Sequence, residues 1–238
     1  MRNNAVAWAR NVVVLAGCLC LLDPTRSSAQ TVKPLPMGLG FFHPLKSNID
    51  WNQVPLGPTC TESRQHTYVF FSNGIDPLNA SDFFGLCQFV ARNGFPNVYF
   101  GQMACGLRFR QKINEIHNAD PTARIALIGY SGGVYVMRHL ANELQHDGID
   151  VDLLVYLGGD MLSNKPYSRP CNAKRIVNVT ANRFWLYGGN LVWRSVLLDD
   201  AVNMHLPVGH LQIPSRLETI QLLMNELGMV AATPATHP

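Results

Sequence analysis

Long basic runs are missing from this chain, and so is any interleaving of aromatic with basic residues. That argues against nucleic acid and anionic membrane surfaces as partners. No pair of cysteines has metal-finger spacing, so no metal site is expected. No internal repeat is visible, and nothing marks a second domain. The 238 residues are enough for one domain with a full core. One apolar run stands out, at 12–22, and it is too short to span a bilayer as a permanent helix. No later segment is longer and as apolar.

That run has a basic stretch before it, with Arg2 and Arg10, and the small residues Ser27-Ser28-Ala29 after it. This is the layout of a secretory signal peptide, with cleavage expected after Ala29. The competing reading is a bacterial lipobox, Leu15-Ala16-Gly17-Cys18, which would put a lipid anchor on Cys18. The apolar residues that follow Cys18 argue for the first reading and an exported chain. Cleavage would remove Arg2, Arg10, Arg26 and Asp23 from 19 basic and 16 acidic residues, leaving a net charge of +1. Cys60, Cys87, Cys105 and Cys171 would remain, and an even count in an exported chain predicts two disulfides of open pairing. Asn79-Ala80-Ser81 and Asn178-Val179-Thr180 match the glycosylation sequon.

Residues 30–66 show no clean period and read as an irregular segment wrapping the sheet edge, with room for one short strand. Strand patterns follow at 67–71, 96–100, 125–128, 151–157, 174–180 and 202–207. Helical patterns separate them, one opening at Asp76-Pro77, one at 107–118 and one after residue 131. A closing helix is expected over 213–227, within a core of 67–228, with 229–238 as a disordered tail. Alternating strands and helices predict a single α/β domain, its mainly parallel sheet flanked by helices on both faces.

Gly129-Tyr130-Ser131-Gly132-Gly133 carries the chemistry. It fits G-x-S-x-G, with an apolar strand before it and a helix after it. So sharp a turn strains the serine and lifts its hydroxyl off the sheet. Small residues two before and two after let strand and helix approach. The helix N-terminus then aims free N–H groups at the place where an oxyanion would form.

A serine hydroxyl needs a base beside it, and the base is usually a histidine oriented by a carboxylate. His139 and His146 belong to the helix that follows Ser131, and His205 to the last strand. His210 comes after that strand, in Val208-Gly209-His210-Leu211, before the closing helix. It is the expected base, with His205 as the alternative. Asp160 follows Gly158-Gly159 at the tip of the 151–157 strand and is the expected acid, with Asp199 or Asp200 as the alternative. Gly132 N–H is one expected oxyanion donor. Ser72-Asn73-Gly74-Ile75 follows the first strong strand, and Ile75 N–H is the other.

From about residue 68 to 227, through the 72–75 turn, the serine elbow, Gly158-Gly159-Asp160 and Gly209-His210, the chain resembles the α/β-hydrolase superfamily. The resemblance implies acyl hydrolysis of the esterase, lipase or thioesterase type, without a cofactor, on a small-molecule ester or lipid. Two departures stand out. The oxyanion turn has Asn-Gly where many lipases have His-Gly, and no carboxylate directly follows the 174–180 strand. The span 161–173 leaves no room for a large lid. Phe184, Trp185, Tyr187 and Trp193 are candidates to line an acyl pocket. An acyltransferase of the same fold and a non-catalytic envelope binding protein are the rival readings.

Overall fold

The computed structural model describes residues 32–34, 64–76, 78–159, 169–183 and 197–233. Seven strands form one sheet: β1 (Val32–Pro34), β2 (Thr67–Asn73), β3 (Asn97–Gln102), β4 (Arg124–Tyr130), β5 (Leu153–Leu157), β6 (Ile176–Arg183) and β7 (Val202–Gly209). Their spatial order is β1-β3-β2-β4-β5-β6-β7, and every pairing is parallel. Among the described residues four α-helices cover it: α1 (Phe83–Arg92), α2 (Gly106–Ala119), α3 (Gly132–His146) and α4 (Leu217–Ala232). The fold class is the one the sequence predicts.

A parallel sheet covered on both faces needs apolar residues at every position of its central strands. β2, β4 and β5 meet that demand. Phe71, Ile128 and Val155 are in register and face α1 and α4. Phe70, Leu127 and Leu154 are in register and face α2 and α3. Leu127 is wholly buried in the second layer. Its replacement by alanine is expected to cost about 3 kcal/mol in lost transfer energy and residual cavity. Urea unfolding at an unchanged m-value checks that figure.

The strand order fixes where a ligand can sit. From β2 the chain steps to β3 on one side, then crosses back to β4 on the other. The direction of winding therefore reverses between the carboxyl ends of β2 and β4, the place where open α/β sheets bind ligands. Gly74 follows one of those ends and Ser131 the other.

Several boundaries differ from the sequence expectation. α1 begins at Phe83, not at Asp76-Pro77. The Asp76 carboxylate instead accepts bonds from Ala80 N (2.8 Å), Ser81 N (3.0 Å) and Ser81 Oγ (2.5 Å), tying the chain into a knot before the helix. The closing helix begins at Leu217 and runs through Gly228 to Ala232, because Val230 and Ala231 still face the core. Within the expected irregular segment, Val32–Pro34 adds the edge strand beside β3.

The expected disulfides do not form among the described residues. Cys87, Cys105 and Cys171 are free thiols. Cys87 is buried between the sheet and α1, while Cys105 is buried in the layer on the opposite face, so the sheet itself separates them. Cys171 is exposed. Cys60, the leader 1–29, Cys18 and 234–238 lie outside the described residues. Both sequon asparagines are buried, Asn79 in the knot after β2 and Asn178 in β6, so neither presents an amide to a glycosylating enzyme in the folded chain.

Candidate active site

Ser131 joins β4 directly to α3, with φ 54° and ψ −124°. A side chain at that φ is strained and persists only where its surroundings fix it. They do so here. Ser131 N donates to Leu157 O of β5 at 2.9 Å, and Ser131 O accepts from Val134 N at 3.1 Å. Neighbouring glycines permit the packing. A Cβ on Gly133 would stand 2.0 Å from Ser72 O, and one on Gly129 would stand 2.6 Å from Val134 Cα. Ser131 and Gly132 are half-buried, within reach of a ligand.

The turn after β2 closes over the elbow. A Cβ on Gly74 would lie 2.7 Å from both Gly132 N and Ser131 Cβ, and 2.9 Å from Tyr130 O. Only glycine lets the backbone come this near. Ile75 follows at once and is 85% exposed. The two expected oxyanion donors therefore belong to segments in direct contact. A Cβ on Gly132 would meet Met103 Sδ at 2.8 Å, so the half-exposed Met103, just after β3, covers the elbow from the far side.

His210 opens a single 3₁₀ turn (His210–Gln212) at the carboxyl end of β7. Gln212 Oε1 accepts from Gly209 N at 3.0 Å and braces that turn. The imidazole packs on the carboxyl end of β5. A Cβ on Gly158 would stand 2.8 Å from His210 Nδ1 and 2.9 Å from Cε1. Gly158 also has φ 63°, so both space and conformation call for glycine. The Tyr130 ring stacks on the imidazole with centroids 5.1 Å apart. Gly158→Ala is expected to push the imidazole away and lower any turnover that depends on His210 by about tenfold or more, since a 1 Å misplacement can cost ~100-fold. Initial rates on the folded variant check this.

The other sequence candidates are dispersed. His205 lies inside β7, paired with Thr180, whose Oγ1 is 2.8 Å from its Nδ1. His139 is exposed on α3 and 3.9 Å from Glu143, and His146 ends that helix. Asp199 and Asp200 precede β7, at the amino edge of the sheet, where Arg169 donates to both of their carbonyl oxygens. The eight residues of β7 at about 3.3 Å each put roughly 25 Å between that edge and the His210 turn. This corrects the alternative choice of acid. Asp160 lies outside the described residues, as do Phe184, Trp185, Tyr187 and Trp193.

Met103 and the Asp76–Ser81 knot carry no motif in the sequence, and Gly158 reads there only as part of the tight turn before Asp160, not as the surface under His210. Each becomes visible only once β3, β5 and β7 are known to end at the same edge.

No protein-family model matches the chain, and no curated protein matches it. Solved structures do. The NocB thioesterase domain from the nocardicin cluster is 14% identical, covering 69% of this chain and 95% of its own, at a TM-score of 0.42. A CIB-like hydrolase from Thermoplasma acidophilum is 14% identical, covering 71% and 88%, at 0.43. A serine hydrolase homologue from Coxiella burnetii is 12% identical, covering 67% and 83%, at 0.38. In its parallel sheet, its strained serine at the strand-to-helix turn and its later histidine, the chain has the α/β-hydrolase fold.

Proposed function

We propose that this protein is a serine hydrolase that cleaves carboxylic or thio esters through an acyl-enzyme. The observation that carries the reading is Ser131, strained at φ 54° at the switch point of the sheet, with His210 at the same edge. Backbone strain of this kind clusters at active sites. The leader pattern supports export, and the substrate is a small ester or a lipid.

In the first step His210 takes the Ser131 hydroxyl proton as Oγ attacks the carbonyl carbon. The carbonyl π electrons move to oxygen, and the N–H groups of Gly132 and Ile75 stabilise that charge. The C–O or C–S bond then breaks, and the imidazolium gives its proton to the leaving alcohol or thiol. In the second step His210 takes a proton from water, and the hydroxide attacks the acyl carbon. Ser131 Oγ leaves and recovers the proton, releasing a carboxylic acid. Asp160 is the proposed orienting acid. His210 Nδ1 faces Gly158, two residues before it, and the alternatives Asp199 and Asp200 lie at the opposite edge.

Fluorophosphonate labelling of wild type, Ser131→Ala and His210→Ala tests the nucleophile and base together. Labelling that needs both residues is the expected result. A folded wild-type protein that takes no label overturns the reading. For the acid, Asp160→Asn is expected to lower kcat by ~10³–10⁴ through the wrong imidazole tautomer. Asp199→Asn and Asp200→Asn should leave it unchanged. The reverse pattern would move the acid to the 199–200 pair.

A further inference from the structure

Tyr130, the residue between Gly129 and the serine, has no assigned part in the acyl transfer. Its surroundings give it one. The side chain is 1% exposed. Its ring packs on Phe83 at 5.3 Å, and Phe83 in turn packs on Phe71 at 5.5 Å, so its floor is an aromatic cluster in the core. Its other side carries His210, ring against ring at 5.1 Å and 23°. Its hydroxyl donates to the His210 carbonyl oxygen at 3.3 Å. Burial first, and the nearby Asp76 charge second, push the phenol far above its usual range, so the hydroxyl keeps its proton. The Ser81 hydroxyl, held by Asp76, is a further hydrogen-bonding neighbour of the phenol.

His210 needs such a support. It stands on one 3₁₀ turn at the end of β7, the last strand of the sheet. Within the turn, Ile213 N donates to the same His210 carbonyl at 3.3 Å, and Gln212 braces Gly209. A base must hold its geometry to within about 0.5 Å, and one short turn at a sheet edge is a weak platform for that. Tyr130 is peptide-bonded to Ser131. Whatever fixes His210 to Tyr130 therefore fixes the base relative to the nucleophile.

We propose that Tyr130 is a positioning residue for the base: ring and hydroxyl together hold His210 in register with Ser131. The inference rests on the acyl-transfer reading above. The stack restrains the plane of the imidazole, and the hydroxyl restrains the main chain that carries it. Phenylalanine would keep the first restraint and lose the second. Leucine would lose both.

The test compares wild type, Tyr130→Phe and Tyr130→Leu in the full mature chain. It uses the rate constant for fluorophosphonate inactivation, and kcat and KM on p-nitrophenyl butyrate. Tyr130→Phe is expected to lose about threefold in inactivation rate and kcat, and Tyr130→Leu ~30- to 100-fold, the scale of a sub-ångström to 1 Å misplacement. KM should stay within about twofold in both, because positioning acts on the transition state rather than on substrate binding. A purely structural tyrosine would lower the melting temperature and leave the rates of the folded fraction alone, and that result overturns the proposal. So does a loss confined to KM. If Tyr130→Leu does not fold, Tyr130→Phe decides: a wild-type inactivation rate overturns it. A wild type that takes no label removes the acyl-transfer reading itself, whereas a labelled wild type with unchanged variants removes only Tyr130's part.

Discussion

Replacing Ser131 with alanine is expected to abolish ester turnover and leave the fold standing. Loss of the nucleophile in a serine–histidine system costs ~10⁶ in kcat, because the remaining groups cannot act without it. The stability effect is small for a specific reason. Alanine keeps a Cβ, so the φ of 54° stays as strained as before. The hydroxyl sits on a half-buried residue at the mouth of the site, where its removal is worth within about 0.5 kcal/mol. Glycine at the same position should behave differently. It abolishes activity equally, but it relieves the backbone strain, worth about 1–3 kcal/mol. For a domain of this size that raises the melting temperature by roughly 2–12 °C. Initial rates on p-nitrophenyl esters and thermal melts of the three proteins read both effects. Full activity in Ser131→Ala would end the nucleophile assignment. A Ser131→Gly variant no more stable than wild type would show that no strain is stored at the elbow.

That pair of effects explains which parts of this molecule could be read from its residues. The elbow was legible because its demands are local. A strand must end, a helix must begin, and the residues beside the serine must be small, all within Gly129–Gly133. The apolar runs of β2, β4 and β5 were legible for the same reason, since burial on both faces leaves no polar position. The candidate base was legible from chain order, as the histidine after the last strand, and the structure puts it at the carboxyl edge. The candidate acid was less so. Asp160 and Asp199 both stand near strands in the sequence, and only the parallel direction of β7 puts Asp199 and Asp200 at the far edge. Asp76-Pro77 misled because that pair is an ordinary helix opening. Here the carboxylate is drawn into three bonds with Ala80 and Ser81, which delays the helix to Phe83. Counting cysteines cannot see the sheet that separates Cys87 from Cys105 and keeps those two from pairing.

Two glycines at the elbow should separate stability from catalysis. A Cβ at Gly133 meets Ser72 O at 2.0 Å and Ser72 C at 2.7 Å, backbone atoms of a buried central strand that cannot yield. Gly133→Ala must lift α3 from β2, and a loss of about 3 kcal/mol or more is expected, since overpacking against backbone lies at the upper end of such costs. Gly74→Ala meets contacts almost as short, at 2.7 Å from Gly132 N and Ser131 Cβ. The turn it belongs to is less enclosed, because the next residue, Ile75, is exposed, although Asp76 beyond it is tied to Ala80 and Ser81. The turn is expected to shift outward at a cost of about 1–2 kcal/mol, less than at Gly133. It takes the Ile75 N–H with it, and loss of one oxyanion donor costs ~10²–10³ in kcat. The donor acts on charge that exists only in the transition state, so kcat should fall while KM holds. Melting curves and steady-state rates on both variants give the comparison. If Gly74→Ala melts as early as Gly133→Ala yet keeps its turnover per folded molecule, the second donor does not come from this turn. If it stays folded and slow, the contact between Gly74 and the elbow is there for the oxyanion rather than for the core.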